Sequence, residues 1–149
     1  MVDVKEVPAD LLINKVASEF KEKNVTIPDW TKYVKDGIGR EKAWTQDDWY
    51  YTRLASVLRK VYLKGNIGIS RLSQEYGSRQ DRGTKRYHPV SGSRFIIRNI
   101  LQALESMNYV KKDKTGRIIT PAGQSLLDKA SKEVMKELSE KDKVFEKYL

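Results

Sequence analysis

The residue types that usually carry out catalysis or bind metal ions are scarce in this chain of 149 residues. There is no cysteine, and His88 is the single histidine. This composition excludes a disulfide framework, thiol catalysis, a cysteine-ligated metal site and a histidine-rich metal centre. No glycine-rich phosphate-binding loop with its lysine occurs. The neighbouring carboxylates of Asp47 and Asp48 would point apart on a helix. We therefore predict no enzyme, no cofactor and no small-molecule substrate.

The abundant functional groups are cations. Lys and Arg number 29 against 20 Asp and Glu, which gives a net charge of +9 and a pI of about 9.6. Residues 1–40 and residues 121–149 are each balanced in charge, so the whole excess lies in residues 41–120. An excess concentrated in this way is the electrostatic footprint of a polyanion-binding protein. The alternative is an ordinary solvated surface.

The most informative cations are four residues apart. Arg94 and Arg98 share one face of a predicted helix over residues 91–107, and Gln102 extends that face. Arg94 also lies in the first helical turn, where the helix dipole disfavours a cation, and Arg71 has the same position in a shorter helix. A bound phosphate at such a helix end would reverse the penalty. The alternative is that an exposed arginine there costs only a few tenths of a kcal/mol.

The elements that position these residues follow from apolar periodicity and from breakers. Thr45 predicts a capped helix start, and Gly65 predicts its end. The polar, basic segment 78–90 predicts a mobile loop, because Gly83 and Pro89 interrupt it. The N-terminal part is predicted to contain an amphipathic helix over 8–23, a helix from Pro28 to Gly37 and a loop over 37–44. The middle part is predicted to contain a helix over 45–64, a short strand over 66–69, a helix over 71–76 capped by Ser70 and the 78–90 loop. A helix over 91–107, a hairpin over 109–120 and a last helix from Pro121 follow, and the buried side chains of the 91–107 helix are predicted to be Phe95, Ile97, Ile100, Leu101 and Leu104.

This order predicts a mainly α fold, a winged helix-turn-helix-like helical domain with a small β-hairpin wing and extra N-terminal helices. We expect a single domain over 1–149, with N-terminal helices in 1–44, the helix-turn-helix core and wing in 45–120, and a C-terminal helix in 121–149. Apolar runs are only three or four residues long, so the sequence predicts no membrane span. The N-terminus lacks the apolar stretch of a signal peptide.

Several motifs resemble one family, the archaeal and eukaryotic small-subunit ribosomal protein S19e family. The two most specific runs are Asp48-Trp49-Tyr50-Tyr51-Thr52-Arg53-Leu54-Ala55-Ser56 and Leu101-Gln102-Ala103-Leu104-Glu105. Matches in the same order are Pro28-Asp29-Trp30, Tyr76-Gly77-Ser78-Arg79-Gln80, Gly92-Ser93-Arg94 and Thr120-Pro121-Ala122-Gly123. The resemblance covers roughly residues 4–135.

This resemblance implies a helical fold around a central amphipathic helix and a structural role on the ribosome. The implied partners are small-subunit ribosomal RNA and neighbouring small-subunit proteins, with no membrane, in the cytoplasm, and with a part in small-subunit assembly and pre-rRNA maturation. The family's RNA-facing positions map onto Arg53, Arg79, Gln80 and Arg98. Asn99 and Ser91 stand where the family often has arginine. Together with the charge pattern, the predicted RNA-binding residues are Arg53, Arg71, Arg79, Gln80, Arg82, Lys85, Arg86, Arg94, Arg98, Lys111, Lys112, Lys114 and Arg117.

Two other functions fit the sequence without the resemblance. A dimeric winged-helix DNA-binding regulator would place the 91–107 helix in a major groove, although that helix offers few base-reading side chains. A protein–protein adaptor would use the last helix. For Arg53 itself, the sequence leaves open whether the guanidinium stacks on Trp49 or whether Trp49 belongs to the core.

Overall fold

The computed structural model describes residues 2–148, and its secondary structure is mainly helical. Within these residues, two short β-hairpins are inserted between consecutive helices. The elements are α1 (Ala9–Glu22), a 3-10 turn (Asp29–Lys32), α2 (Trp49–Lys64), α3 (Ile69–Glu75), β1 (Ser78–Arg82), β2 (Lys85–Val90), α4 (Arg94–Ser106), β3 (Val110–Lys112), β4 (Arg117–Ile119), α5 (Pro121–Lys141) and a final 3-10 segment (Lys143–Tyr148). No helix within residues 2–148 is long and apolar enough to cross a membrane.

The core forms around α2, which packs against α1, α4, α5 and the β4 strand. Its apolar side chains recur at helical spacing, so one stripe of α2 is fully covered by its neighbours. Short apolar side chains at the N-terminus join the same core. The largest fully buried side chains are Leu12, Phe20, Tyr50, Leu54, Leu58, Leu72, Ile96, Ile97, Ile100, Leu101, Leu104 and Leu127.

Three helix ends with a local sequence signal are confirmed, and of the two serines that could cap α4, Ser91 and Ser93, the second does so. The Ser93 hydroxyl accepts the backbone N–H of Ile96 at the start of α4, at 3.4 Å. The Thr120 hydroxyl accepts the N–H of Gly123 at the start of α5, and Pro121 follows as the first helical residue. Gly65 ends α2 with a φ of +76°, a conformation that glycine adopts without steric cost.

Two predicted helix starts in the N-terminal half are wrong. The segment after Pro28 forms only the 3-10 turn, and Tyr33, which follows that turn, is 85% exposed. The next helix begins at Trp49 rather than after Thr45. The segment that precedes α2 folds back instead, so that the ring of Trp44 stacks on that of Trp49. The ring centroids are 4.3 Å apart, and the ring planes are within 5° of parallel. Aromatic burial therefore overrides the capping signal.

Smaller corrections concern the helices on either side of β1 and β2. Helix α3 starts at Ile69 with Gly68 as its N-cap, so Ser70 lies inside the helix and does not cap it. In α4, we predicted that Phe95 is buried, but 51% of its surface is exposed, and its neighbour Ile96 is buried instead. The predicted strand over 66–69 is reduced to an isolated bridge between Ile67 and Arg117.

Residues 78–90 form an antiparallel hairpin, β1–β2, and not the predicted mobile loop. Gly83 occupies the first position of its two-residue turn with a φ of +72°, as such turns require. Pro89 is tolerated because both strands of a two-stranded hairpin are edge strands, where a missing N–H need not break the ladder. The predicted hairpin β3–β4 is confirmed, with Val110 opposite Ile119 and Lys112 opposite Arg117.

Candidate nucleic-acid interface

The thirteen predicted RNA-binding side chains divide by exposure. Ten are exposed, whereas Arg53, Gln80 and Arg117 are partly buried. The exposed residues fall into two groups that different elements bring together. The first basic cluster is formed by β1–β2 and the start of α4, and its residues are Arg79, Arg82, Lys85, Arg86, Arg94 and Arg98. The second basic cluster is formed by α3 and the β3–β4 turn, and its residues are Arg71, Lys112 and Lys114, with Lys111 on the adjoining strand.

In the first basic cluster, α4 presents two cations on its outer side. Arg94 is the first residue of the helix and Arg98 follows one turn later, and both are exposed while the opposite side of α4 is buried. Gln102 is exposed one turn further on. Within residues 2–147, neither guanidinium has an ion-pair partner. The two charges are therefore available to an external anion.

The hairpin β1–β2 adds most of the remaining cations of this cluster. Every residue from Asp81 to Pro89 is exposed, so the hairpin projects from the core. Its one acid, Asp81, accepts the N–H of Gly83 and so stabilises the turn. The guanidinium of Arg82 donates twice to the carbonyl oxygen of Arg86, at 2.9 and 2.7 Å. Arg82 thus braces the hairpin across its turn in addition to carrying charge.

The root of the hairpin is fixed against the start of α4. The N–H of Gly92 donates to the Ser73 carbonyl, and the N–H of Ser93 donates to the Asp36 carbonyl, each at 2.8 Å. A β-carbon at Gly92 would lie 2.8 Å from the backbone oxygen of Tyr76, which is closer than real contacts allow. This close approach requires glycine at position 92 and sets the hairpin and α4 in a defined relation.

Arg53 lies beneath this root and is not an exposed cation. Its guanidinium forms an ion pair with Asp36 at 3.0 Å, and only 11% of the side chain is exposed. It also lies over the rings of Tyr76, at 4.1 Å, and Trp44, at 5.0 Å. The aromatic partners are therefore these two rings, whereas Trp49 is buried in the core. Arg53 connects α2 with the segment that supports the hairpin.

Tyr76 is the central aromatic of that arrangement. Its hydroxyl and that of Ser56 are 2.7 Å apart and hydrogen-bonded, and the ammonium of Lys60 lies 4.3 Å from the ring centroid. Burial, as the largest cause, raises the pKa of the Tyr76 hydroxyl above its ordinary value. The group is accordingly neutral at physiological pH and acts as a packing and hydrogen-bonding element.

The second basic cluster lines a depression between α3 and the β3–β4 turn. Asn66 holds that turn in place, because its side-chain amide donates to Asp113 at 3.0 Å and to Thr115 at 2.7 Å. Arg117 at the other strand donates to Glu105 at 2.8 Å and is only 14% exposed on its side chain. Arg117 therefore secures the hairpin to α4, while the lysines of the turn stay exposed.

Several acids near the clusters are already neutralised within the chain. Asp36 and Glu105 are paired with Arg53 and Arg117. Glu75 forms ion pairs with Lys60 and Lys64, and the hydrogen bond from Lys60, as the largest cause, lowers the pKa of its carboxyl. Internal pairing of these acids leaves the exposed cations as the dominant local charge. The part of the chain that the structure describes holds no cluster of three or more acidic or histidine side chains suited to a metal ion.

Comparison with known proteins identifies the family. A family model described as Ribosomal protein S19e matches residues 3–137. The chain belongs to this family. It is 54% identical over 150 residues to the small ribosomal subunit protein eS19 of Thermoplasma acidophilum, with both chains fully covered. It is 44% identical over 153 residues to the eS19 protein of Aeropyrum pernix, again over both full lengths, and 38% identical over 134 residues to that of Myxine glutinosa, which covers 89% of this chain and 92% of the other.

Membership of a ribosomal protein family confirms two predictions and weighs against a third. The resemblance drawn from the sequence motifs is confirmed, and so is the expectation that the chain is not an enzyme. The alternative of a winged-helix DNA-binding regulator is not favoured.

Some residues that organise the interface were missed from the sequence. Asp36, Trp44 and Tyr76 surround Arg53, but their contacts join segments far apart in the chain and leave no local pattern. Arg40 is exposed in the segment that packs on the hairpin root through the bridge between Gly37 and Gly92. Arg40 was missed because it is the last residue of the charge-balanced segment 1–40, whereas the excess positive charge was assigned to residues 41–120.

Proposed function

We propose that this protein is a structural component of the small ribosomal subunit in the cytoplasm that binds ribosomal RNA through its two basic clusters. The observation that carries the proposal is the exposed pair Arg94 and Arg98, which has no ion-pair partner among residues 2–147 and stands beside the projecting basic hairpin. Two relatives that are 54% and 44% identical over the full length of this chain are named as small ribosomal subunit proteins. Ribosomal RNA is the polyanion of that particle, and the clusters supply the matching charge.

The clusters suit recognition of RNA backbone and shape more than recognition of base sequence. Most of their side chains are Arg and Lys, which contact phosphate oxygens and fix the position of a protein on nucleic acid. The major groove of an A-form helix is too deep and narrow for side chains to read, so shape and unpaired regions dominate recognition. In this proposal α2, α3 and α4 form a winged-helix-like core, and β3–β4 is its wing.

The predicted site residues have two different roles in this proposal. The exposed cations of both clusters contact phosphates directly. Arg53 and Arg117 instead hold the contacting elements in position, because each is largely covered and paired with a carboxylate. Gln80 is half-buried on β1 opposite His88 and contributes a neutral polar group at the hairpin. A rigid support of this kind reduces the entropy lost on binding.

The charge-balanced ends of the chain suit protein neighbours. Helices α1 and α5 pack together, and Lys15 forms ion pairs with Glu133 at 3.1 Å and Glu137 at 3.2 Å. The outer surfaces of these helices carry both signs of charge, which suits neighbouring small-subunit proteins better than RNA. By holding RNA and proteins together, the chain would support small-subunit assembly and pre-rRNA maturation.

Incorporation into small subunits tests the proposal. Charge reversal in Arg98→Glu is expected to reduce the fraction of the protein that co-sediments with small subunits at least several-fold, without a change in thermal unfolding. The matched control is Lys32→Glu, which reverses an exposed lysine of the 3-10 turn, outside both clusters and outside α1 and α5. If folded Arg98→Glu enters small subunits as well as wild type and the control, the proposed interface is wrong.

A further inference from the structure

Tyr87 is an exposed aromatic residue that the packing of the protein does not use. It lies on β2, and 64% of its surface is exposed. The ring contacts found within residues 2–147 join other aromatic residues and leave Tyr87 out. No cation–π contact within those residues involves it either. A large apolar ring held in water on a projecting hairpin is available for an external partner.

The surroundings of Tyr87 indicate the chemistry of that partner. Arg79 lies directly opposite Pro89, and Pro89 is two residues from Tyr87 on the same strand, so a cation lies close to Tyr87 along the hairpin. Four cations stand on this short hairpin, Arg79, Arg82, Lys85 and Arg86, and its one acid is engaged in the turn. An aromatic ring among cations is the combination that binds nucleic acid through stacking and phosphate contacts.

The hairpin is also preorganised at both ends. At its tip, Arg82 bonds twice across the turn to Arg86. At its root, Gly92 is bonded to Ser73 and pressed against the backbone of Tyr76. The strand register shifts between the Gln80–His88 and Arg82–Lys85 pairs, which forms a bulge next to Tyr87. Bulges of this kind redirect side chains and are common beside functional sites.

We propose that Tyr87 is a stacking platform for an unpaired base of RNA, with Arg79 on a neighbouring phosphate. The inference deepens the proposed function, on which it rests, by naming the RNA element that the hairpin binds. Paired bases of an A-form duplex are out of reach of a side chain in its narrow major groove. An unpaired base in a loop or bulge exposes its face, and every base can stack on a phenol ring.

The full-length protein and two RNA probes test this assignment. The probes are a fluorescent single strand of about 12 nucleotides, within the usual length of such sites, and the blunt duplex of the same sequence. Tyr87→Ala is expected to weaken single-strand binding about 5- to 150-fold, the range for loss of one stacked base, and to change duplex binding less than twofold. Tyr87→Phe keeps the ring and is expected to bind like wild type.

The control variant is Tyr33→Ala, which removes a more exposed tyrosine from a segment outside the hairpin. It is expected to leave the single-strand affinity unchanged. In the wild-type protein, a single strand carrying 5-bromouridine is expected to photocrosslink to Tyr87, as mapped by mass spectrometry. This second measurement requires no substitution, so it decides the question even if Tyr87→Ala does not fold.

Each other outcome overturns the proposal in a recognisable way. Unchanged single-strand binding by Tyr87→Ala, or an equal loss on single strand and duplex, removes the stacking assignment, while the proposed function stands if Arg98→Glu still weakens RNA binding. Crosslinks confined to other residues have the same meaning. Normal binding of both RNAs with poor entry into small subunits would assign Tyr87 to a protein contact. Absence of RNA binding by wild type would overturn both proposals.

Discussion

The guanidinium of Arg53 and the carboxylate of Asp36 meet at 3.0 Å in a mostly covered position, and this pair connects α2 to the support of the first basic cluster. The same Asp36 accepts the N–H of Ser93 on its backbone carbonyl, one residue before α4 begins. A single residue thus joins the largely covered Arg53 and the start of the helix that carries Arg94 and Arg98. The resemblance places Arg53 among the family's RNA-facing positions, whereas its contacts give it a supporting role.

Asp36→Ala is predicted to destabilise the protein by about 2 kcal/mol. This lies between the value for exposed ion pairs and that for fully buried ones, because the pair is largely covered but not completely buried. Urea unfolding measures the change, and a double-mutant cycle with Arg53→Ala isolates the pairwise energy. A coupling energy below about 0.5 kcal/mol would show that the pair does not hold the segment in place.

Two variants of the β3–β4 hairpin distinguish a residue that contacts RNA from a residue that holds the hairpin in place. Lys114→Gln is predicted to weaken RNA binding with no change in Tm, because Lys114 is exposed on the turn. Arg117→Gln is predicted to lower stability by about 1–2 kcal/mol, because it leaves the half-buried Glu105 without its charged partner. Thermal unfolding and RNA titration of both variants check the pattern. The reverse pattern would contradict the division of roles.

We expect the ionisation of Glu75 to make the free energy of unfolding depend on pH. Its pKa is lowered, chiefly by the hydrogen bond from Lys60, so the ionised carboxyl is favoured in the folded state. Its stabilising contribution is therefore complete above the unfolded-state pKa of about 4.3 and is lost as the pH falls through the lower folded-state pKa. Glu75→Gln should have a slightly lower Tm than wild type at pH 7.

The difference in Tm between wild type and Glu75→Gln should disappear in acid, once Glu75 is protonated in both states. Calorimetry across the acid range measures the difference, and Gln124→Ala on the exposed surface of α5 serves as a substitution with no titrating group. A difference that stays constant from neutral to acid pH would show that the ion pairs of Glu75 do not contribute to stability.

The parts of the fold that could be predicted from sequence are those with local signals. Amphipathic periodicity located α1 and α4. The Thr120-Pro121 cap marked the start of α5, and the serines at 91 and 93 marked the start of α4 to within two residues, because capping depends on residues a few positions apart. Hairpin β3–β4 was predicted because its β-like runs flank a short turn. Segment charge counts also identified residues 41–120, the region of excess positive charge that holds both basic clusters.

The missed parts depend on contacts between distant segments. Hairpin β1–β2 has no apolar alternation, since it buries almost nothing, and its shape comes from the Gly83 turn and the fixed root at Gly92. The delayed start of α2 reflects the stacking of Trp44 on Trp49, which a capping rule does not include. The covered state of Arg53 required Asp36 and Tyr76 to approach it in three dimensions, and no sequence pattern encodes that approach.

The most direct test of phosphate contact by Arg94 and Arg98 is the salt dependence of binding to small-subunit ribosomal RNA, because each such contact releases counterions. The variant is the double substitution Arg94→Gln and Arg98→Gln, and Lys129→Gln with Lys132→Gln on α5 is the matched control. Phosphate contact by both arginines predicts that the slope of log affinity against log salt becomes shallower by about 1.4–1.8 for the α4 variant and stays unchanged for the control. An α4 variant that keeps the wild-type slope and affinity would show that Arg94 and Arg98 do not contact RNA phosphates.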